Sequence, residues 1–529
     1  MVSLLDVTTP GLRPDSATPR SLDELVRAFP ELNAKPGVAG VSTGGAAGVL
    51  LTGCTLNSRE VAPGDLYAAL PGAKVHGASF AGQAVAAGAV AVLTDVEGAG
   101  QIAEQGLDVA VLVTDDPRGR LGAVAAWIYG DPTADLRLLG ITGTNGKTTV
   151  AYLVDAGLRG AGETTGLVGT VETRVAGRTI PSTRTTPEAP ALQGLFAAMR
   201  QAGVTSAAME VSSHALALHR VDGSHFAGAA FTNLSQDHLD FHADMDDYFE
   251  AKALLFTPER SAGAVVDDAH PAGRRLLARR ADAVPVSSTG DPGLPGAYWA
   301  DAVVSEPGRS RFVLRGPHGT AVDVEVPMPG RFNVANTVVA LALLAATGVD
   351  VESAARGIAR LPGVPGRMEK VEAGQPFLAV VDYAHTPAAV ETLLASVRSV
   401  TAGRVIVVLG CGGDRDRAKR PLMGAAAVSG ADVAVLTSDN PRSEDPQTIL
   451  DAMVRGTDAV AAAERAQLIV ELDRRTAIAA AVAEARSGDA VVVAGKGHET
   501  GQTIGDVTTP FDDRAVLREA LLAAESGAA

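Results

Sequence analysis

"GITGTNGKTTV", residues 140–150, lies inside "LRLLGITGTNGKTTVAYLVDAGL" (136–158), where an apolar run passes through a glycine loop into a helical pattern. A loop of this kind turns backbone N–H groups and a helix N-terminus toward phosphate oxygens. Lys147 then reaches the outer phosphates, and the Thr148 hydroxyl is offered to Mg2+. The usual spacing places a glycine five residues before Gly146, where this chain has Ile141; Gly143 instead opens a shorter G-T-N-G-K-T. A glycine turn that merely caps a helix is the alternative. The strand before and the helix after favour ATP, held by Gly143, Thr144, Asn145, Gly146, Lys147, Thr148 and Thr149.

Working outward, the loop sits far from the N-terminus of a chain of 529 residues, a length that suits roughly three or four domains. Acidic residues number 61 against 45 basic ones, a net charge of -16, so no global positive field attracts nucleic acid or an anionic membrane. Two cysteines, Cys54 and Cys411, make neither a disulfide framework nor a zinc set, and are expected as small core residues in a reducing compartment. "MVSLLDVTTPGLRPDS" has no basic region leading into an apolar stretch, and no run of 18 apolar residues occurs. A soluble cytoplasmic protein is expected.

Short runs rich in Val, Ile and Ala alternate with longer Ala/Leu stretches of helical period, the pattern of parallel α/β layers. "AVAVLTD" (89–95) and "VAVLVTDD" (109–116) read as buried strands. "YGDPTADLR" (129–137) and "RLPGVPGRME" (360–369) carry Pro and Gly where helices should end, and cut the chain into parts at 1–135, 136–362 and 363–529. In the last part "RVIVVLGCGGDRD" (404–416) and "DAVVVAGKGHE" (489–499) run straight into glycine turns. Ligands gather at such strand ends.

Beyond the phosphate loop, "SAAMEVSSHAL" (206–216) is a strand ending in Glu210, and "AAFTNLSQDHLDFH" (229–242) is another that ends near Asp237 and His238. A carboxylate and an imidazole at two strand ends are placed for divalent metal ligation, although a lone histidine is ordinarily a core or surface residue. In "DMDDYFEAKALLF" (244–256), Tyr248, Lys252 and Leu255 fall on adjoining helical positions. A cationic Lys252 beside Mg2+ would be repelled. As a carbamate it would offer carboxylate-like oxygens instead.

These motifs occur in order with G-R-F-N-V-A-N (330–336), G-R-M-E (366–369), D-Y-A-H-T-P (382–387) and D-N-P-R (439–442). The set resembles the Mur ligases of peptidoglycan synthesis, and covers nearly the whole chain. The resemblance implies an α/β architecture of three domains: an N-terminal UDP-sugar domain, a central P-loop ATPase sheet, and a C-terminal Rossmann-like domain that brings an amino acid. It also implies that Thr148 and Glu210 ligate one Mg2+ and that His238 and carbamylated Lys252 bind a second. Asn333 and His385 would lie around adenine, Arg367 and Asp382 near ribose and phosphates. For the nucleotide sugar it points to Ser58 in "LNSRE", Thr185 and Thr186 in "TRTTPE", Ser212, and Arg220 in "LHRVDG". Asn57 stands where the family pattern has aspartate.

Within the resemblance, D-N-P-R accompanies meso-diaminopimelate, whose distal centre carries an amine and a carboxylate. Read from the residues, Asp439 and Asn440 suit an ammonium, Pro441 fixes the turn, and Arg442 suits a carboxylate; the plain alternative is an Asx turn. Arg415, Gly495 and Glu499 occupy further positions that the family uses on this substrate. The implied reaction is ATP-dependent, Mg2+-assisted addition of meso-diaminopimelate to UDP-MurNAc-L-Ala-D-Glu through an acyl phosphate, by a monomer acting on small molecules. Rival readings are a lysine-adding Mur ligase, folylpolyglutamate synthase, a regulatory ATPase and a dinucleotide enzyme. G-x-G-x-x-G would need glycine at Arg415, and "GKGHE" lacks the Ser/Thr of a second phosphate loop.

Overall fold

The computed structural model describes residues 12–15, 17–32, 48–182 and 184–527. Thr183 and most of the N-terminal stretch read for an export signal lie outside them. The chain divides into two compact units: residues 1–142, 163–229 and 251–263 form one, and residues 143–162, 230–250 and 264–529 the other.

In the first unit, the strands Gly53–Thr55, Asp65–Ala68, Ala91–Thr94 and Ala110–Val113 pair in parallel and in chain order. Their side chains are buried on both faces, which explains why the sequence shows continuous apolar runs rather than alternation. Leu66, Leu93 and Leu112 face Leu121, Val124 and Ile128 of the helix Pro117–Ile128; Tyr67, Val92 and Val111 face Ala81, Ala99 and Ile102. Cys54 is buried in the first of these layers and is not in a disulfide. The same unit holds a second parallel set, in which Ser206–Glu210 lies between Arg137–Thr142 and Thr165–Val168. An antiparallel hairpin, Glu172–Val175 with Arg178–Pro181, extends it.

In the second unit, Leu378–Asp382, Ala490–Ala494, Val405–Cys411, Val433–Ser438 and Gln467–Val470 form a parallel sheet in that order, with Glu369–Lys370 antiparallel at one edge. The pleat sends Val405, Val407 and Leu409 toward the helices Pro387–Ser399, Lys419–Gly430 and Pro446–Thr457. Ile406 and Val408 point the other way, toward Arg474–Glu484 and Asp513–Gly527. Each fully buried valine contributes about 1.5–3 kcal/mol relative to exposure. The register pairs Asp382 and Leu409 with Ala494, and Cys411 with Ser438, so four loops leave the same carboxyl edge. A separate run in this unit pairs Val284–Ser287 in parallel with Tyr298–Glu306, which continues antiparallel through Arg309–Arg315 and Ala321–Val326.

One local expectation is corrected. The helix Met245–Ala253 carries Tyr248 and Lys252 but stops before Leu255, which lies in the 3-10 turn Leu254–Phe256. Pro258 disfavours helix at Thr257, whose backbone is extended, and the Ser261 hydroxyl caps the Leu255 carbonyl at 2.6 Å.

Candidate active site

The glycine loop is built as the sequence suggests. Gly146, at φ +88°, is the N-cap of the helix Lys147–Gly160, and a Cβ there would lie 2.5 Å from Asn336 Oδ1. Only glycine fits that backbone and that approach. The preceding residues are tied to "TNLS" at 232–235: Thr144 N donates to Asn233 O at 2.9 Å, Asn145 N to Asn233 Oδ1 at 3.0 Å, and Thr232 Oγ1 to Asn145 O at 2.6 Å. Thr144 Oγ1 donates to Ser235 O at 3.1 Å and lies 3.2 Å from the Tyr248 hydroxyl. Lys147 Nζ donates to Gly143 O and Thr144 O, both at 2.9 Å. Thr148 and Thr149 are buried. Thr148 Oγ1 accepts from Arg367 Nη2 at 3.0 Å, and the Arg367 guanidinium lies 4.3 Å above the Tyr383 ring.

Around Tyr383 the structure gathers three of the residues expected at the nucleotide. Asp382 accepts from Met368 N and Ala384 N, each at 2.7 Å, and burial raises its carboxyl despite Arg367 and those N–H donors. His385 Nδ1 is 2.9 Å from Tyr383 O, and its Nε2 is 3.5 Å from Asp237. Burial opposes ionisation of Asp237, yet His385, His238 and Lys419 hold its carboxyl well below the usual range. His238 follows in the left-handed region at φ +57°. Asn333 is buried, its amide donating to Pro329 O at 2.8 Å while its Oδ1 has no partner among the described residues. Such an orphaned acceptor suits an amino group of a ligand.

In the first unit Glu210 ends its strand fully buried, accepting from Thr170 N at 2.7 Å and Thr170 Oγ1 at 3.1 Å. Thr170 Oγ1 is 2.9 Å from Thr185 Oγ1. Thr186 Oγ1 lies 3.0 Å from Glu210 O and 3.2 Å from Ser212 N, and Ser212 caps the helix Ser213–Ala217. Arg220 pairs with Glu188 at 2.9 Å. Thr185, Thr186, Glu210, Ser212 and Arg220 therefore form one group. Ser58 donates to Gln83 at 3.1 Å and shares no hydrogen bond with that group among the described residues. Glu188, which also pairs with Arg184 at 2.8 Å and Arg118 at 3.5 Å, escaped the sequence reading although it closes the T-T-P-E motif. Lys252 is only 1% exposed.

The third site lies on the carboxyl edge of the C-terminal parallel sheet. Asp439, Asn440 and Pro441 are buried at the end of Val433–Ser438. Arg442 is left-handed at φ +53°, its N bonded to Thr503 O at 3.0 Å and its Nη1 to Gly413 O at 2.6 Å. Arg415 is exposed and donates to Asp414 O at 3.0 Å; a Cβ at Gly412 would sit 3.0 Å from Arg442 Nη1 and 3.9 Å from Arg415 Cγ, so both arginines flank Gly412. Gly495 has φ +112°, and a Cβ there would come within 2.8 Å of Asp439 Oδ2. Glu499 accepts from Asn440 Nδ2 at 2.7 Å. Asn440 Oδ1 is not left for a ligand: it already accepts from Lys496 Nζ at 3.1 Å and Thr503 N at 3.0 Å. The ammonium that Asn440 holds belongs to the protein, and Lys496 was passed over because its motif failed as a phosphate loop.

Fold and glycine loop together define an ATP-using α/β enzyme, with a cluster of charged side chains on the carboxyl edge of its C-terminal sheet. Three family models match the chain: Mur ligase family, catalytic domain, over residues 50–127; Mur ligase middle domain, over 141–344; and Mur ligase, glutamate ligase domain, over 366–497. The UDP-N-acetylmuramoyl-L-alanyl-D-glutamate–2,6-diaminopimelate ligase of Streptomyces avermitilis is 57% identical over 89% of this chain and 92% of its own length. The protein of that name from Corynebacterium glutamicum is 50% identical over 86% and 89%. A solved structure of a ligase so named superposes with a TM-score of 0.65 at 33% identity, covering 96% of this chain and all of that one. MurF ligase from Thermotoga maritima, solved in complex with ADP, shares the fold at a TM-score of 0.61 and 16% identity, over 89% and 96%. The chain belongs to the Mur ligase family, the ATP-dependent ligases that form amide bonds for peptidoglycan synthesis. No helix among the described residues is long and apolar enough to cross a membrane.

Proposed function

We propose that this ligase joins meso-diaminopimelate to UDP-MurNAc-L-Ala-D-Glu. The observation that carries the choice of amino acid is the pocket at the sheet edge. Asp439 lies against Gly495, Glu499 is bonded to the adjacent Asn440, and Arg442 follows Asp439 through a rigid Pro turn. A distal centre with both ammonium and carboxylate complements that pair of charges; lysine brings only the ammonium. Arg415, which with Arg442 flanks Gly412, adds a second guanidinium for the carboxylate.

In the reaction the γ-phosphoryl group of ATP passes to the D-Glu side-chain carboxylate, giving an acyl phosphate and ADP. The diaminopimelate amine then attacks the acyl carbon, loses a proton, and expels phosphate to leave the amide. Lys147 answers the charge on the transferring phosphoryl oxygens, and the helix-start N–H groups of Lys147, Thr148 and Thr149 cradle the phosphates, while those of Thr144 and Asn145 fix the loop against Asn233. Asn333 and His385 are assigned to the adenine, Arg367 and Asp382 to ribose and phosphates. Thr185, Thr186, Ser212 and Arg220, with Ser58, are assigned to the nucleotide-sugar peptide.

Among the described residues no group of three His, Cys, Asp or Glu side chains could hold an ion alone. A hydroxyl and a buried carboxylate, Thr148 and Glu210, nevertheless have the hard oxygens that Mg2+ takes together with nucleotide phosphates. His238 and Lys252 are assigned to a second ion, Lys252 as a carbamate. A carbamate would offer oxygens to the ion where an ammonium would be repelled. Bound Mg2+ would offset negative charge on the phosphate oxygens.

Domain limits are proposed at 1–135, 136–362 and 363–529, and the working form as a cytoplasmic monomer. The test is phosphate release from ATP, Mg2+ and UDP-MurNAc-L-Ala-D-Glu with meso-diaminopimelate, L-lysine or no amino acid. Release with diaminopimelate alone is expected. Release with lysine alone would refute the pocket assignment while keeping the ligase.

A further inference from the structure

The mechanism leaves Lys496 without a role, although its ammonium is surrounded by polar groups. It is fully buried. Its ammonium donates to Gly501 O at 2.7 Å, Asn440 Oδ1 at 3.1 Å and Glu499 Oε2 at 3.3 Å, and stands 3.7 Å from Asp439 Oδ1. An ammonium has three N–H donors, and these three acceptors use them all. No donor remains for a substrate. Lys496 instead holds the residues that line the pocket.

Charge makes the arrangement specific. Asp439 and Glu499 bring two negative charges to one enclosed edge, where like charges repel. Lys496 offsets one of them, so the three side chains together carry one net negative charge. We propose that Lys496 is a positioning residue: it fixes Asp439, Asn440 and Glu499 before the amino acid arrives and sets this receptor to accept one ammonium. The proposal rests on the reading of the pocket as the diaminopimelate site.

The influence of Lys496 extends to the carboxylate end. Its acceptor Gly501 begins a hairpin, Gly501–Ile504 with Val507–Pro510. Gln502 Nε2 donates to Asp439 O at 2.8 Å. Thr503 O accepts from Arg442 N at 3.0 Å, and Gly505 N donates to Arg442 O at 2.6 Å. The left-handed backbone of Arg442 is thus clasped by a hairpin whose base Lys496 anchors.

The test compares wild-type enzyme with Lys496→Met and Lys496→Arg in steady-state phosphate release, varying diaminopimelate, ATP and nucleotide sugar in turn. ADP affinity and thermal melting are measured alongside. Lys496→Met is expected to raise KM for diaminopimelate about tenfold or more, with the other two KM values within about twofold. Lys496→Arg, which keeps the charge but not the compact three-donor head, is expected to recover part of the loss. An unchanged diaminopimelate KM in Lys496→Met would overturn the proposal, as would parallel weakening of all three substrates. If Lys496→Met does not fold, Lys496→Arg decides: weaker diaminopimelate binding with ADP binding intact supports the role, and unchanged binding overturns it. Absence of diaminopimelate-dependent turnover in the wild type would overturn the substrate reading itself, and with it the assignment of Lys496.

Discussion

The phosphate loop and the proposed amino-acid pocket are built from opposite materials. The loop offers backbone N–H groups and one helix start, and its cation, Lys147, rests on carbonyls three and four residues away. The pocket offers side chains from three loops, spanning 412–415, 439–442 and 495–503, and its cation is sealed inside. A backbone site keeps a local signature because glycine conformation and helix geometry fix it within a few residues. A side-chain site acquires its meaning only from the sheet register that brings distant loops together.

Lys147→Met strikes the loop side of this contrast and should have the largest effect. Phosphate release is expected to fall by roughly a hundredfold or more, about 3 kcal/mol or greater, with circular dichroism unchanged because Lys147 supports no core packing. A loss below tenfold would show that the loop's N–H groups suffice alone. Lys252→Ala should come next, losing about 90% or more of turnover. Added formate or acetate, by supplying the missing oxygens, should restore part of it; full activity without supplement would remove the carbamate from the mechanism.

On the pocket side, Arg442→Gln should lower kcat/KM for diaminopimelate by roughly 30-fold, about 2 kcal/mol, while leaving KM for ATP unchanged. KM for the nucleotide sugar should likewise stay unchanged. Parallel losses for all three substrates, measured in the same phosphate-release assay, would make Arg442 a structural residue only.

The smallest effect concerns stability. His498 stacks against Tyr383 with ring centroids 5.2 Å apart, and its buried Nδ1 has no partner among the described residues. Burial, and then the charges of Arg367 and Arg514, push its pKa down to about 4. The unfolded chain takes up that proton near pH 6.5 and the native one only near 4, so its contribution is complete above 6.5 and disappears as pH falls through that window. His498→Gln should flatten the pH dependence of the melting temperature there, on the order of 1–2 kcal/mol. An unchanged slope would place the titration elsewhere.

Much of the molecule is legible in the sequence where chemistry is local. "RVIVVLG" and "AVVVA" read as strands buried on both faces because valine runs admit little else at that length. D-N-P-R announces its turn through proline. Lys496 was invisible because the only question its neighbours raised was about phosphate, and its true acceptors at 440, 499 and 501 are assembled by pairing of Leu409 with Ala494 and Cys411 with Ser438. Arg474 hides the same way: it looks like an ordinary first-turn arginine, yet it is buried against Asp513 and bonds Ser438 O and Ala494 O, bracing the two strands beneath the pocket. Leu255 breaks the helical spacing because Pro258, three residues further on, ends the α-helix early and leaves Leu255 in a 3-10 turn.

Gly495 has a consequence for drug resistance. Its φ of +112° and the 2.8 Å that would separate a Cβ from Asp439 Oδ2 exclude every other amino acid without strain, and Asp439 is itself held near Lys496. No codon change at this position yields a smaller residue. If the proposed pocket holds the amino acid, an inhibitor that seats its distal ammonium against the Gly495 backbone touches a surface that selection cannot reshape by substitution there without disturbing Asp439.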